Sequence, residues 1–237
     1  MKGNSRKLAA ERDERIYEQV FDAILEQRLL PGTRLSEDKL GEIFGVSRTI
    51  IRKTLQRLAH EGIVELRPNR GASIKETDKR EAREVFAARR VIEQVVVRLA
   101  CEQGNAKKLA ALRTLARQEQ AHFDRGEQGP GLRLSGEFHL RLAELANNRP
   151  LAEFARSLVS RCSLIIAQYE QPGQHPCSWN EHTDLIDCIE KGKSALAETR
   201  MAEHLDRIER RLHLDAGPEM GRLEQVFADL TRSKTGE

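Results

Sequence analysis

The chain has 237 residues, of which 32% are charged and 4% aromatic, and it carries a formal net charge of +3 at pH 7. That length suits two modest domains, and so few aromatics argue against a base-stacking platform for single-stranded nucleic acid. No apolar run approaches the roughly 20 residues a membrane helix needs, and the opening MKGNSRKLAAERDER lacks the apolar core of a secretion signal, so a cytoplasmic protein without a membrane partner is expected.

Residues 12–28 predict a helix, with Ile16, Val20, Ala23, Ile24 and Gln27 at a 3.6 period and Tyr17 and Phe21 beside them. Pro31-Gly32 breaks it. In a short second helix Ser36 is placed to cap, Asp38 suits the positive end, and Leu40, Ile43 and Phe44 form the apolar face before Gly45. Val46 turns inward, Ser47 is a second N-cap, and a third helix runs over 48–60, closed by Gly62. Its buried side is Ile50, Ile51, Leu55 and Leu58. IVELR (63–67) and GASIKE (71–76) read as strands around a Pro68-Asn69-Arg70-Gly71 turn. These elements make a winged helix-turn-helix, assigned to residues 1–76.

From Thr77 onward helical periods run through 79–102, 106–125, 132–147, 150–170, 177–191, 194–213 and 218–231, broken by Gly, Asn and Pro between them. Seven helices with short connections predict an antiparallel all-α bundle over 77–237, so the fold class is mainly α. No Gly/Ser-rich linker intervenes, and the two domains are expected to be closely coupled. The four cysteines, at 101, 162, 177 and 188, form no C-x-x-C pair and read as reduced thiols.

Residues 1–76 hold 15 Lys/Arg against 12 Asp/Glu, and the remainder holds 25 of each. The basic excess therefore lies in the first domain, and residues 47–70 hold six Lys/Arg against two Glu. A local basic surface on a neutral body predicts a polyanion partner. The major groove of DNA admits one helix, read from its N-terminal residues, which here are Ser47, Arg48, Thr49 and Arg52. Arg48 and Arg52 share a face and are expected to project toward base edges, where arginine suits guanine. Lys53 and Arg57 suit the DNA backbone, and Arg70 at the hairpin tip suits the neighbouring minor groove or its phosphates.

The stretch LLPGTRLSEDKLGEIFGVSRTIIRKTLQRLAHEGIVELRPNRGASI resembles the DNA-binding domain of the GntR family of bacterial transcription regulators, through its PG-x-x-L-S-E, GVSRT, LQRLAHEGIVE and NRGA pieces in order. The resemblance implies that Arg48 and Arg52 read an operator and that Arg70 and Gly71 form the wing tip. Some members carry a further DNA-contacting arginine early in the second helix. Asp38 stands near that place here, with Arg34 just before it as a candidate substitute.

Three of the seven histidines fall on apolar helix faces: His139 with Leu132, Leu142 and Ala146; His182 with Leu185, Ile186 and Ile189; His204 with Ala197, Met201 and Ile208. Three inward imidazoles in one bundle suit a divalent metal, zinc or nickel, with positions left for water or a carboxylate. His60, His122, His175 and His213 lack such settings. The segments FAARRVIEQVVVRLA, GEFHLRLAELANNRP and NEHTDLIDCIEKGKSALAETRMAEHLDRI resemble the FCD effector domain of the FadR branch of the same family. Metal-binding FCD domains present Asp-x-x-x-His on one helix and two later histidines. The resemblance places the histidines at His139, His182 and His204, but Ser135 stands at the aspartate position.

A serine hydroxyl is a poor metal ligand beside a carboxylate, which leaves three readings open. Water or effector completes a three-histidine shell, a carboxylate such as Glu137 substitutes, or the histidines bind an anion without metal. Arg89 stands where FCD domains often carry a pocket arginine, and reads either as a clamp on an effector carboxylate or as an exposed i,i+4 pair with Glu93. Trp179 is a further candidate for the pocket lining.

The expected function is a transcription repressor that binds a two-fold operator in double-stranded DNA as a homodimer. A small carboxylate-bearing metabolite, touching Arg89, Ser135, His139, His182 and His204, would control it. A metal-dependent hydrolase built in a bundle is the alternative class, and a regulator without metal is the alternative within the first. Against the hydrolase stand the lack of an H-E-x-x-H motif, of a Gly-rich phosphate loop and of a general base paired with the histidines.

Overall fold

The computed structural model describes residues 2–67, 71–103, 105–170, 179–212 and 214, with side chains from residue 12 onward and excepting 179. Helix α1 (Lys2–Leu25) buries Ile16, Tyr17, Val20, Phe21, Ile24 and Leu25. It begins ten residues before the predicted start, where residues 2–11 are mostly polar and lack an apolar period, although Lys, Leu, Ala, Glu and Arg are good helix formers. It stops at Leu25, because Gln27 takes a left-handed φ of 56°.

Strand β1 (Arg34–Leu35), helix α2 (Glu37–Phe44), helix α3 (Arg48–His60), β2 (Val64–Arg67) and β3 (Gly71–Ile74) complete the head. The sheet order is β1-β3-β2, all antiparallel, with Leu35 opposite Ala72 and Val64 opposite Ile74. The two-stranded expectation is therefore corrected: a two-residue strand is too short to show an alternating pattern in sequence. The predicted turn at 68–70 lies outside the described residues. Ser36 Oγ caps α2 by accepting from Lys39 N at 3.4 Å, and Gly45 ends the helix at φ 63°. Ile43, expected on the apolar face of α2, is 72% exposed, because Leu40 and Phe44 alone share the inward stripe of so short a helix.

Six further helices form the body: α4 (Lys79–Gln103), α5 (Ala106–Asp124), α6 (Gln128–Leu145), α7 (Arg149–Tyr169), α8 (Trp179–Glu190) and α9 (Ser194–Arg211). The seventh predicted helix, 218–231, lies outside the described residues. Helix α6 starts four residues earlier than expected. Pro130 is tolerated in a first helical turn, where its missing N–H would be unpaired anyway. A Cβ on Gly129 would lie 3.2 Å from the Glu26 carbonyl oxygen, and one on Gly136 would lie 3.1 Å from Leu25 Cδ2. These glycines let α6 approach the end of α1 closely.

Head and body share a core. Leu140 of α6 and Val159 and Leu164 of α7 pack in the same apolar cluster as Ile16, Ile24, Leu55 and Ile63. Polar contacts reinforce the seam. Ser157 Oγ donates to the Glu61 carbonyl at 2.9 Å, just past α3. The Gln168 amide brackets Thr77, accepting from its N–H and donating to its carbonyl, both at 3.0 Å. Glu81 takes Lys75 at 2.6 Å and Arg161 at 2.7 Å. No helix is long and apolar enough to cross a membrane among the described residues.

Candidate functional site

Two places concentrate chemistry: the outer face of α3 in the head, and the centre of the body. On α3, Ile51, Leu55 and Leu58 face the core and Ile50 is half-buried, which leaves Arg48, Thr49, Arg52 and Lys53 exposed and Arg57 half-exposed. Ser47 holds the N-cap position in an extended conformation but makes no side-chain capping bond. Thr54, at a buried position, donates its hydroxyl to Asp13 at 2.8 Å and so ties α3 to α1.

Neither Arg48 nor Arg52 projects unpartnered, contrary to expectation. Arg48 Nε is ion-paired with Asp38, and Arg52 grips Glu37 through two bonds of 2.9 and 2.7 Å. Lys53 lies 2.6 Å from Asp13. Arg57 donates to Glu14 at 2.6 Å and lies 3.6 Å above the Tyr17 ring. The charge count over 47–70 sees only neighbours in sequence. Asp13 and Glu14 arrive from α1, while Glu37 and Asp38 arrive from the first turn of α2, where acids complement the helix dipole. Arg52 draws the Glu37 carboxyl below its ordinary range. Arg34 is exposed in the edge strand β1, with β3 between it and β2. Gly71 opens β3 at φ 82°, and Arg70 lies outside the described residues.

In the body, His139 on α6, His182 on α8 and His204 on α9 are all buried and meet at one point. Their ligand-capable atoms lie within 4.8 Å of one another, and His139 Nε2 is 3.3 Å from His204 Nε2. Each ring is held from behind. His139 Nδ1 lies 2.5 Å from Glu93, His182 Nδ1 2.7 Å from Glu119, and His204 Nδ1 2.6 Å from Glu181. A carboxylate at Nδ1 fixes the tautomer and aims Nε2 inward, the arrangement that commonly orients histidine toward a metal. His182 Nε2 is buried without a hydrogen-bond partner, an unusual state for a polar atom. The His182 ring also stacks on Phe138, centroids 4.0 Å apart.

Burial pushes the His139 imidazole down to about 4 and that of His204 to about 3, so both are neutral at pH 7, as ligands must be. Arg89 and Glu93, bonded at 2.6 Å, are both buried. This corrects the reading of an exposed pair: the guanidinium gives its Nε to Glu93 from a buried position. Burial opposes the Glu93 charge, but His139 and Arg89 outweigh it and hold the carboxyl well below its usual range. Ser135 lies one turn before His139 and is buried. Glu137 points elsewhere, to Arg141 at 2.7 Å. The Trp179 side chain, His175 and His213 lie outside the described residues. His122 is an ordinary surface group beside Glu127, at 2.6 Å.

Beside the histidines, Arg89, Ser135 and His139 line a cleft together with Arg211 of α9 and with Leu25 and Gln27 of the head. Its volume of about 30 Å³ holds one or two waters. Glu119 and Glu181 escaped the sequence reading, which saw no carboxylate paired with the histidines. Glu119 had a signal: it continues the stripe Leu109, Leu112, Ala116, an acid where the period demands an apolar residue. Glu181, in the first turn of α8, had none.

Comparison with known proteins agrees with both halves. Residues 12–74 match the model of the bacterial regulatory proteins of the gntR family, and residues 84–207 match that of the FCD domain. The Nta operon transcriptional regulator of Aminobacter aminovorans is 29% identical over 184 residues, covering 75% of this chain and 85% of its own. The HTH-type transcriptional repressor RspR of Escherichia coli is 24% identical over 199 residues, covering 83% and 86%. Among solved structures, E. coli McbR/YncC shares the fold with a TM-score of 0.76 at 20% identity, covering 86% of this chain and 98% of its own. A winged head on a helical body, matched along most of its length to these regulators, places the chain in the GntR family of bacterial transcription regulators, with a C-terminal FCD domain.

Proposed function

We propose that this regulator acts as a cytoplasmic repressor, binding a two-fold operator as a homodimer. Its grip is set by a small carboxylate-bearing molecule held at a divalent metal on His139, His182 and His204. One observation carries the ligand part: three buried imidazoles converge, each anchored at Nδ1 by a glutamate, with His182 Nε2 left unmet. Zinc or nickel, when bound, supplies concentrated positive charge with positions open to water or a carboxylate. Glu93, Glu119 and Glu181 hold the rings in place. Ser135 brings a hydroxyl but no charge, so the protein contributes no anionic ligand from that position.

A cleft of about 30 Å³ must widen to take a metabolite. Leu25 and Gln27 of the head form part of its wall, so widening bears directly on α1. A ligand shifts DNA affinity by its differential affinity for the two arrangements. One winged head reads few base pairs, and two-fold symmetry doubles the contacts, which favours a homodimer on a two-fold operator. The repressor reading also draws support from the name of the E. coli relative RspR.

Elemental analysis of the purified protein is expected to find about one zinc or nickel per chain, lost in His182→Ala. Protein that takes up neither metal, and shows no thermal shift with either, removes the metal. Selection from a random duplex pool is expected to return a two-fold sequence, bound in preference to scrambled DNA at about 150 mM salt. Arg48→Ala and Arg52→Ala should each abolish that preference while circular dichroism stays unchanged. A pool that converges on no sequence removes the operator reading.

A further inference from the structure

The four cations of α3 meet four carboxylates of other helices, and Glu61, just past the end of α3, lies a further 3.6 Å from Arg57. Asp13 and Glu14 reach Lys53 and Arg57 from α1, and Glu37 and Asp38 reach Arg52 and Arg48 from α2. Elsewhere in the head the pairing is partial: Arg28, Arg67 and Lys75 have acidic partners, while among the described residues Arg12 and Arg15 of α1 and Arg34 of β1 have none. Nor does the fold need the two pairs with α2: Arg48 and Arg52 are 70% and 61% exposed in them, and exposed ion pairs contribute little to stability.

The pairs bear instead on DNA. A duplex carries one negative charge per roughly 1.7 Å of its axis, and a cation that neutralises a phosphate releases a counterion. A guanidinium already neutralised by Glu37 or Asp38 releases less, and has fewer N–H donors left for a phosphate or a guanine. The carboxylate, set beside the same groove face, then repels the DNA backbone. Non-specific contact, which lives on phosphate charge, is held down. Site-specific contact has base hydrogen bonds to replace the carboxylate's.

We infer that Asp13, Glu14, Glu37 and Asp38 are built-in counter-charges that compete with DNA phosphate for the cations of α3 and so suppress non-specific binding by the head. This rests on DNA binding through α3, and the test separates the two. Binding of the full chain to a duplex of random sequence is followed by fluorescence anisotropy between about 50 and 200 mM salt. The double variant Glu37→Gln/Asp38→Asn is expected to bind more tightly. Its plot of log affinity against log salt should steepen by about 2, so the loss across that fourfold salt range grows about fifteenfold. Glu14→Gln, on another helix, should steepen the slope by less than about 1, since Glu61 stays 3.6 Å from Arg57, which keeps the question answerable if the double variant fails to fold. Unchanged affinity and slope in folded variants overturns the inference and leaves DNA binding standing. Weaker binding by a folded variant also overturns it, since the carboxylates would then be positioning the arginines. A wild-type chain without duplex affinity even at low salt overturns the α3 reading itself and this inference with it.

Discussion

Arg89 and Glu93 sit four residues apart on α4, and either could have faced water. Both lie instead on the stripe Phe86, Val96, Val97, Ala100 that α4 buries. Truncating one member of a buried pair strands the other charge, so Arg89→Ala is expected to lower unfolding free energy by about 3–5 kcal/mol in urea titration. A loss under about 1 kcal/mol would mean that the pair is wet. Glu119 is the more diagnostic carboxylate for function, because it meets His182 Nδ1 through one oxygen while the other is buried without a hydrogen-bond partner. Glu119→Gln should weaken zinc binding about 10–100-fold by calorimetry. Unchanged affinity would separate the histidine cluster from metal binding.

At the scale of elements, local chemistry and tertiary contact divide the work. The turn between α2 and α3 needs a left-handed residue, and Gly45 supplies it at φ 63°, with nothing within 4 Å of the place a Cβ would take. The cost of Gly45→Ala is thus backbone alone, about 1–2 kcal/mol, measurable as a lower urea midpoint without a changed circular dichroism spectrum. A neutral result would place the turn outside the left-handed region. The start of α6 obeys a different rule. Gly129, Pro130 and Gly131 read locally as a break, yet α6 runs through them because Glu26 and Phe123 press against it: a Cβ on Gly131 would lie 2.6 Å from Phe123 Cε1.

At the scale of the whole molecule, α7 joins the two halves. Its Ser157, Gln168 and Tyr169 hold the end of α3 and the connection at Thr77, the last through a 2.6 Å bond from the Tyr169 hydroxyl to the Thr77 carbonyl. Its Val159 and Ser163 face the cleft beside His139. Glu81 adds a charge link from Lys75 to Arg161. Burial raises its pKa, but these two cations outweigh burial and hold it below the ordinary 4.5. A carboxyl depressed on folding stabilises fully above its unfolded pKa, and that contribution fades as pH falls through the folded one. Glu81→Gln should therefore lower Tm at pH 7 by about 2–4 °C, and the gap to the wild type should close in acid. A gap that persists at pH 3 would assign the loss to packing rather than charge.

The winged helix-turn-helix, the helical body and the burial of His139, His182 and His204 were legible in the chain alone. They rest on turn residues, caps and a 3.6 period, which act over a few neighbouring residues. Two kinds of feature were not. The strand Arg34–Leu35 is too short to carry a pattern, and its pairing with β3 spans 37 or more positions of sequence. The glutamates behind the histidines and the acids facing the α3 cations are each on another helix from their partner. Charge has no period, and its meaning is set by what lies within a few ångströms, so only the packing of α1, α2, α4, α5 and α8 could decide which cations are countered and which imidazoles are aimed.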